Sequence, residues 1–167
     1  MDLRFAIFES TLFNIGVVSK GKKLLRIYLS EEDGLTLRKG ILSRYPEALM
    51  DDSHFKELRI QLDRYLKGER VLFDLEIDIE ELSPFTRAVL MKVMGIPYGE
   101  TRTYGDLASE LGFKSACRAI GQSLKINPLP IVIPCHRVIK KNGELGGFSQ
   151  GLRIKRKLLE LEGIKIP

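Results

Sequence analysis

Cys135, His136 and Arg137 stand consecutively inside the apolar run IVIPCHRVI, residues 131–139. A thiol beside an imidazole admits three chemistries: metal ligation, nucleophilic attack, or inert packing. Metal ligation fits poorly. The chain has two cysteines and two histidines, and Cys117 and His54 lie at no recognised ligand spacing from the pair. Packing is the commonest fate of a free cysteine, but a histidine and an arginine are costly neighbours for a site that only packs. Nucleophilic attack needs a thiolate. A thiol with a pKa of about 8.5 is only a few per cent ionised at neutral pH, and a histidine, a cation or a helix N-terminus nearby raises that fraction. In a regular strand, adjacent side chains face opposite ways. His136 therefore serves Cys135 only if Pro134 bends the chain or a water relays the proton. A carboxylate to orient the imidazole completes the arrangement, and Glu162 is the candidate.

The elements around this run follow from local signals. Helices are expected over residues 84–94, 104–111 and 116–125, and a last one from 152 to about 162. Ser83 caps the first and Pro84 sits in its opening turn. Thr103 and Asp106 have the spacing of a capping box, and Ser115 is the expected cap of the third. Residues 112–114 form the turn between two short helices, the layout of a helix-turn-helix. The second of these helices, SACRAIGQSLK, presents small residues and one early cation, Arg118. That composition suits close approach to a minor groove, or else tight helix packing. Residues 131–133 are expected to be extended. In the final helix Leu158, Leu159 and Leu161 should face inward, with Arg153, Lys155, Arg156 and Lys157 toward solvent.

The amino-terminal half reads as a small antiparallel sheet with helices. Strands are expected at residues 3–8, 12–18, 24–29 and 72–77, with SKGKK as a hairpin connection. Residues 34–44 and 53–67 have helical spacing, Gly68 ends the second, and His54 belongs on a helix surface. The fold class is α+β. An N-terminal α/β structural domain spans 1–83, and a mostly helical C-terminal domain with a (winged) helix-turn-helix spans 84–167.

Charge divides along the same line. Residues 1–83 carry 13 Lys and Arg against 16 Asp and Glu, whereas residues 84–167 carry 14 against 6. A half with net charge +8 meets polyanions, or is a solvated basic surface. No apolar stretch is long enough to span a bilayer. The first ten residues, MDLRFAIFES, lack the layout of a signal peptide, so a cytoplasmic location is expected. Two cysteines do not form a disulfide framework.

The segment IPCHRVI, residues 133–139, resembles the active-site motif of the O6-alkylguanine-DNA alkyltransferases, the methylated-DNA–protein-cysteine methyltransferases. The resemblance extends through IPYGETRTYGDLA, ACRAIGQSLKINPLP and GELGGFSQGLRIKRKLLELEG, and so covers residues 84–163. It implies DNA repair by a direct, single-turnover transfer of the alkyl group from guanine O6 to Cys135. Double-stranded DNA carrying O6-alkylguanine is the implied partner, with O4-alkylthymine left open, and the protein is a monomer that needs no cofactor and no metal. Its implied catalytic group is Cys135 as nucleophile, His136 as its base through water, Glu162 holding His136, Tyr104 donating to guanine N3, and Asn127 bracing the turn. Arg118 would be the finger that replaces the flipped nucleotide, with Ser115, Ala119, Tyr104 and Arg137 as further DNA contacts. Pro130, Val138, Phe148 and Ser149 would form the substrate pocket. Carbonyls of Cys135 and Val138 would read the 2-amino group, and the Ser149 amide would contact O6. Phe148 stands where many relatives have tyrosine, and Gln150 where glycine is common. A regulator with the same helix-turn-helix, or a damage-binding protein without transfer chemistry, is the alternative.

Overall fold

Apolar and β-branched residues set the first strands. Leu3–Phe8 (β1), Asn14–Lys20 (β2) and Lys23–Ser30 (β3) pair antiparallel in sequence order. β2 is central and buried from Ile15 to Ser19, and Gly21, at a φ of 57°, turns the chain between β2 and β3. Helix α1, Gly34–Arg44, begins where the Asp33 carboxylate accepts the Thr36 amide at 2.7 Å. It lays Leu37 and Ile41 on Phe5 and Val18. Gly16 permits that approach, because a Cβ there would meet Ile41 at 2.6 Å. A two-residue strand, Leu49–Met50 (β4), then joins β1 in parallel, so the sheet order is β3-β2-β1-β4. Helix α2, Lys56–Leu66, buries Leu58, Leu62 and Tyr65.

The computed structural model describes residues 1–167 and divides into two compact units, Met1–Asp78 and Ile79–Pro167. The class is α+β. Three expectations for the first unit change. Its sheet is mixed rather than purely antiparallel. Residues 72–77 form no strand and make one isolated bridge, from Ile77 to Leu24. His54 lies in the turn before α2 rather than on a helix, with a ring nitrogen 2.9 Å from the Ser19 hydroxyl.

The second unit opens with α3, Pro84–Met94, whose Ser83 hydroxyl accepts the Thr86 amide at 3.2 Å. A short strand, Arg102–Thr103 (β5), leads into α4, Tyr104–Glu110, through a complete Thr103/Asp106 capping box. Gly112, at a φ of 80°, turns the chain toward α5, Cys117–Lys125. Ser115 does not cap α5. Ala116 occupies the cap position, no side chain accepts there, and the helix starts one residue later than expected. The α3 and α5 helices are tied by Thr86 and Ser123, whose buried hydroxyls are 3.1 Å apart.

Residues 131–133 form a tight turn rather than an extended run. The Ile133 amide donates to the Leu129 carbonyl at 2.8 Å, and Ile131 has a φ of 75°. For a β-branched residue that conformation costs about 1–3 kcal/mol, offset here by a side chain only 2% exposed. A single 3-10 turn, Cys135–Arg137, and strand β6, Val138–Ile139, follow; β6 pairs parallel with β5. Helix α6, Leu152–Leu161, closes the unit. Its inner face holds Ile154, Leu158 and Leu159, with Leu161 half-buried. Lys155, expected in solvent, lies on that inner face and is completely buried.

Candidate active site

Pro134 and the turn after it decide how Cys135 and His136 relate. Because Cys135–Arg137 is a 3-10 turn, the strict alternation of a strand does not apply to these two side chains. Cys135 is 5% exposed and His136 fully buried. Behind them lies Glu162, also buried. Its Oε1 accepts from His136 Nε2 at 2.8 Å, which assigns the proton to Nε2 and the lone pair to Nδ1, since an ionised carboxylate only accepts. The Glu162 carboxylate also takes the Arg137 guanidinium, at 2.9 Å from Nε and 2.8 Å from Nη2, and the Gly99 amide at 3.2 Å. The remaining Arg137 nitrogen, Nη1, donates to the Ile96 carbonyl at 2.6 Å.

Arg137 is therefore not placed as a DNA contact. It is buried with its donors turned inward, fixing the acid that fixes the imidazole.

Asn127 joins the end of α5 to the turn before the thiol. Its Nδ2 donates to the Ile133 carbonyl at 2.9 Å, and its Oδ1 accepts the Leu129 amide at 3.0 Å. Tyr104 opens α4 half-buried, beside Gly146, where a Cβ would stand 2.6 Å from the phenol oxygen. Glycine is required at 146, whose φ is 71°.

A cavity of about 410 Å³ is lined by Tyr104, Arg118, Gly121, Gln122, Cys135 and the 147–149 loop, with Leu124 and Lys125 completing its wall. That is the size of a small-molecule site. Of the expected pocket residues, Phe148 and Ser149 line it, whereas Pro130 and Val138 are buried and do not. Arg118 is exposed at its edge, and Ser115 and Ala119 are exposed without lining it. The Cys135 carbonyl already accepts the Val138 amide, and the Val138 carbonyl accepts Lys155 Nζ at 2.7 Å. Each keeps one lone pair for a further donor. No group of three or more His, Cys, Asp and Glu side chains is arranged to hold a metal ion.

Burial dominates the electrostatics. It pushes the Cys135 thiol up, opposed by the Asn127 side chain, the Lys155 charge and nearby backbone amides. It pushes His136 down, opposed by Glu162. The Tyr104 phenol is raised, again by burial. Lys155 falls to about 8. Sequence reasoning missed Lys155, Gln122 and the structural part of Arg137. For Lys155 a signal existed: it lies three and four residues before Leu158 and Leu159, on the apolar stripe of α6.

Comparison with known proteins covers both units. Residues 84–164 match the family described as 6-O-methylguanine DNA methyltransferase, DNA binding domain, and residues 3–79 match its ribonuclease-like domain. A methylated-DNA--protein-cysteine methyltransferase of Saccharolobus solfataricus is 45% identical over 117 residues, which is 70% of this chain and 75% of that protein. One from Methanosarcina acetivorans is 44% identical over 113 residues, 68% and 72% of the two chains. Among solved structures, Mycobacterium tuberculosis OGT in complex with DNA superposes with a TM-score of 0.81 at 33% identity, covering 95% of this chain and 92% of that one. The O6-methylguanine-DNA methyltransferase of Pyrococcus kodakaraensis gives 0.72 at 27%, covering 96% and 99%.

Proposed function

Because the chain belongs to the 6-O-methylguanine DNA methyltransferase family, we propose that it repairs DNA by moving an alkyl group from guanine O6 onto its own Cys135. The observation that carries this reading is the thiol at a cavity of about 410 Å³, backed by a buried His136–Glu162 pair.

The duplex hides O6, so the nucleotide must leave the stack at a cost of about a few kcal/mol. α5 approaches the minor groove with its small residues, and Arg118, exposed at the cavity edge, enters the gap left by the base. Ser115, exposed in the turn before α5, and Ala119, exposed on the helix, lie against the backbone. The basic residues of 84–167 supply phosphate affinity that does not depend on sequence.

In the cavity, His136 takes the Cys135 proton through a water, using Nδ1 because Glu162 occupies Nε2. The sulfur attacks the alkyl carbon, a C–S bond forms, and the C–O6 bond breaks with its electron pair going to the base. Tyr104 donates to N3 as that charge builds. The product is a thioether that no group in the site can cleave, so each molecule acts once. Residues 84–167 form the working domain and residues 1–83 a structural one. The protein works as a monomer in the cytoplasm; no helix is long and apolar enough to cross a membrane.

Incubation with a duplex carrying labelled O6-methylguanine should deposit one label per molecule, on Cys135, and none on Cys135→Ala. Label released to water with repeated turnover would indicate a hydrolase. Operator-specific binding that survives Cys135→Ala, with no transfer by the wild type, would indicate a regulator.

A further inference from the structure

Lys155 is a cation with no carboxylate partner in a completely buried position. Its neighbours on the inner face of α6, Ile154, Leu158 and Leu159, show what packing alone selects there. An unpaired buried ammonium costs several kcal/mol; a leucine or methionine would fill the same space without that cost. The Lys155 Nζ donates to the Val138 carbonyl at 2.7 Å and to the Gly147 carbonyl at 3.1 Å. Val138 directly follows the turn that carries the thiol, and Gly147 opens the loop that carries Phe148 and Ser149. Gly147 also presents its own amide to the Tyr104 oxygen. One ammonium therefore joins the two walls of the cavity. Cys135 is the one acidic group that acts on it. The other titratable or charged groups near the thiol are Tyr104 on α4, Arg118 and Lys125 of α5 in the cavity wall, and His136 on its own turn, the last backed by Arg137 and Glu162.

We propose that Lys155 is a positioning residue for alkyl transfer, holding the Cys135 turn and the 147–149 loop at a fixed separation and supplying the positive charge against which the thiol ionises. This rests on the transfer reading above. As the thiol proton leaves for His136, the ammonium faces a thiolate. As the C–S bond forms, the negative charge departs with the guanine. The stabilisation thus acts at the start of the displacement and leaves nothing to bind the neutral thioether.

The test uses the full chain with Cys117→Ser, so that the exposed second thiol does not react. Alkylation by iodoacetamide, followed against pH, reports the ionisation of Cys135 without any DNA. Replacing a nearby opposite charge shifts a pKa by about 1–3 units, so Lys155→Met should react ~10-fold more slowly or worse at neutral pH, with its profile displaced to higher pH. Lys155→Arg should recover most of the rate. Single-turnover transfer from an O6-methylguanine duplex should slow in the same order. A folded Lys155→Met with the parental profile and parental transfer overturns the proposal. Should that variant unfold, the Lys155 ammonium resonance in the parent decides: its titration midpoint should fall in Cys135→Ser, and an unchanged midpoint overturns the proposal. If the parent moves no alkyl group from DNA while Lys155→Met still displaces the thiol profile, the transfer reading fails and the Lys155 coupling stands.

Discussion

Replacing Arg137 by methionine keeps the stem and removes the guanidinium. The structure predicts a large effect on stability and none on the salt dependence of DNA binding. Three guanidinium contacts to Glu162, at 3.2, 2.9 and 2.8 Å, would be lost with the 2.6 Å bond to the Ile96 carbonyl. Glu162 would remain buried, with only His136 and the Gly99 amide as partners among these groups. Removing one partner of such a pair costs about 3–5 kcal/mol, chiefly because the remaining charge has no water to return to. For a unit the size of Ile79–Pro167, each kcal/mol moves Tm by about 4–8 °C, so Tm should fall by ~12 °C or more. Urea unfolding monitored by circular dichroism gives the free energy directly. Binding of a labelled duplex between 50 and 200 mM salt, at a temperature where the variant is folded, tests the other half. A phosphate contact contributes about 0.9 to the slope of log K against log salt, and Arg137→Met should leave that slope unchanged. A stability loss under about 1 kcal/mol, or a slope reduced by about one, would refute the placement of Arg137 as an internal strut.

Three further outcomes follow from the geometry. Arg118→Ala should slow transfer from duplex DNA at least ~10-fold more than transfer from free O6-benzylguanine, because only the duplex needs a finger to offset unstacking; equal losses in the two assays would remove that role. Gly146→Ala puts a methyl 2.6 Å from the Tyr104 oxygen at a φ of 71°, and should lower stability by about 1–3 kcal/mol while slowing transfer; unchanged single-turnover rates would show that Tyr104 need not sit there. His136 is held below its ordinary 6.5 by burial. Between that value and the lower folded one the unfolded chain binds more protons, so this contribution to stability is complete above about pH 6.5 and is lost as pH falls from there. Urea midpoints between pH 5 and 8 should lose that component in His136→Gln, and identical slopes for both proteins would contradict it.

What could be read from the chain was mostly local chemistry. Ser83 and Pro84 at the start of α3, the Thr103/Asp106 box, and the Gly21 turn each depend on residues a few positions apart, and each stands in the structure. Cys135, His136 and Glu162 were also legible, because nucleophile, base and orienting acid are required together. Features that depend on distant packing were not. A two-residue strand, β4, has no periodicity to detect, and residues 72–77 have strand composition but only one bridge. Ser115 is a good cap by type, yet the chain enters α5 one residue later. Charge alone places Lys155 in solvent, and the family resemblance places Arg137 at the DNA. Lys155 finds internal carbonyls and Arg137 an internal carboxylate, partners that only the folded chain brings within reach.

The left-handed turn at Ile131 carries a consequence of its own. It is the one non-glycine residue with a positive φ, four positions before the nucleophile. An enzyme that cycles must let its site open, release product and recover its starting shape. A reagent spent in one reaction has no return stroke. A costly backbone angle, locked by a buried isoleucine, is then compatible with the task, because nothing in that segment has to move back.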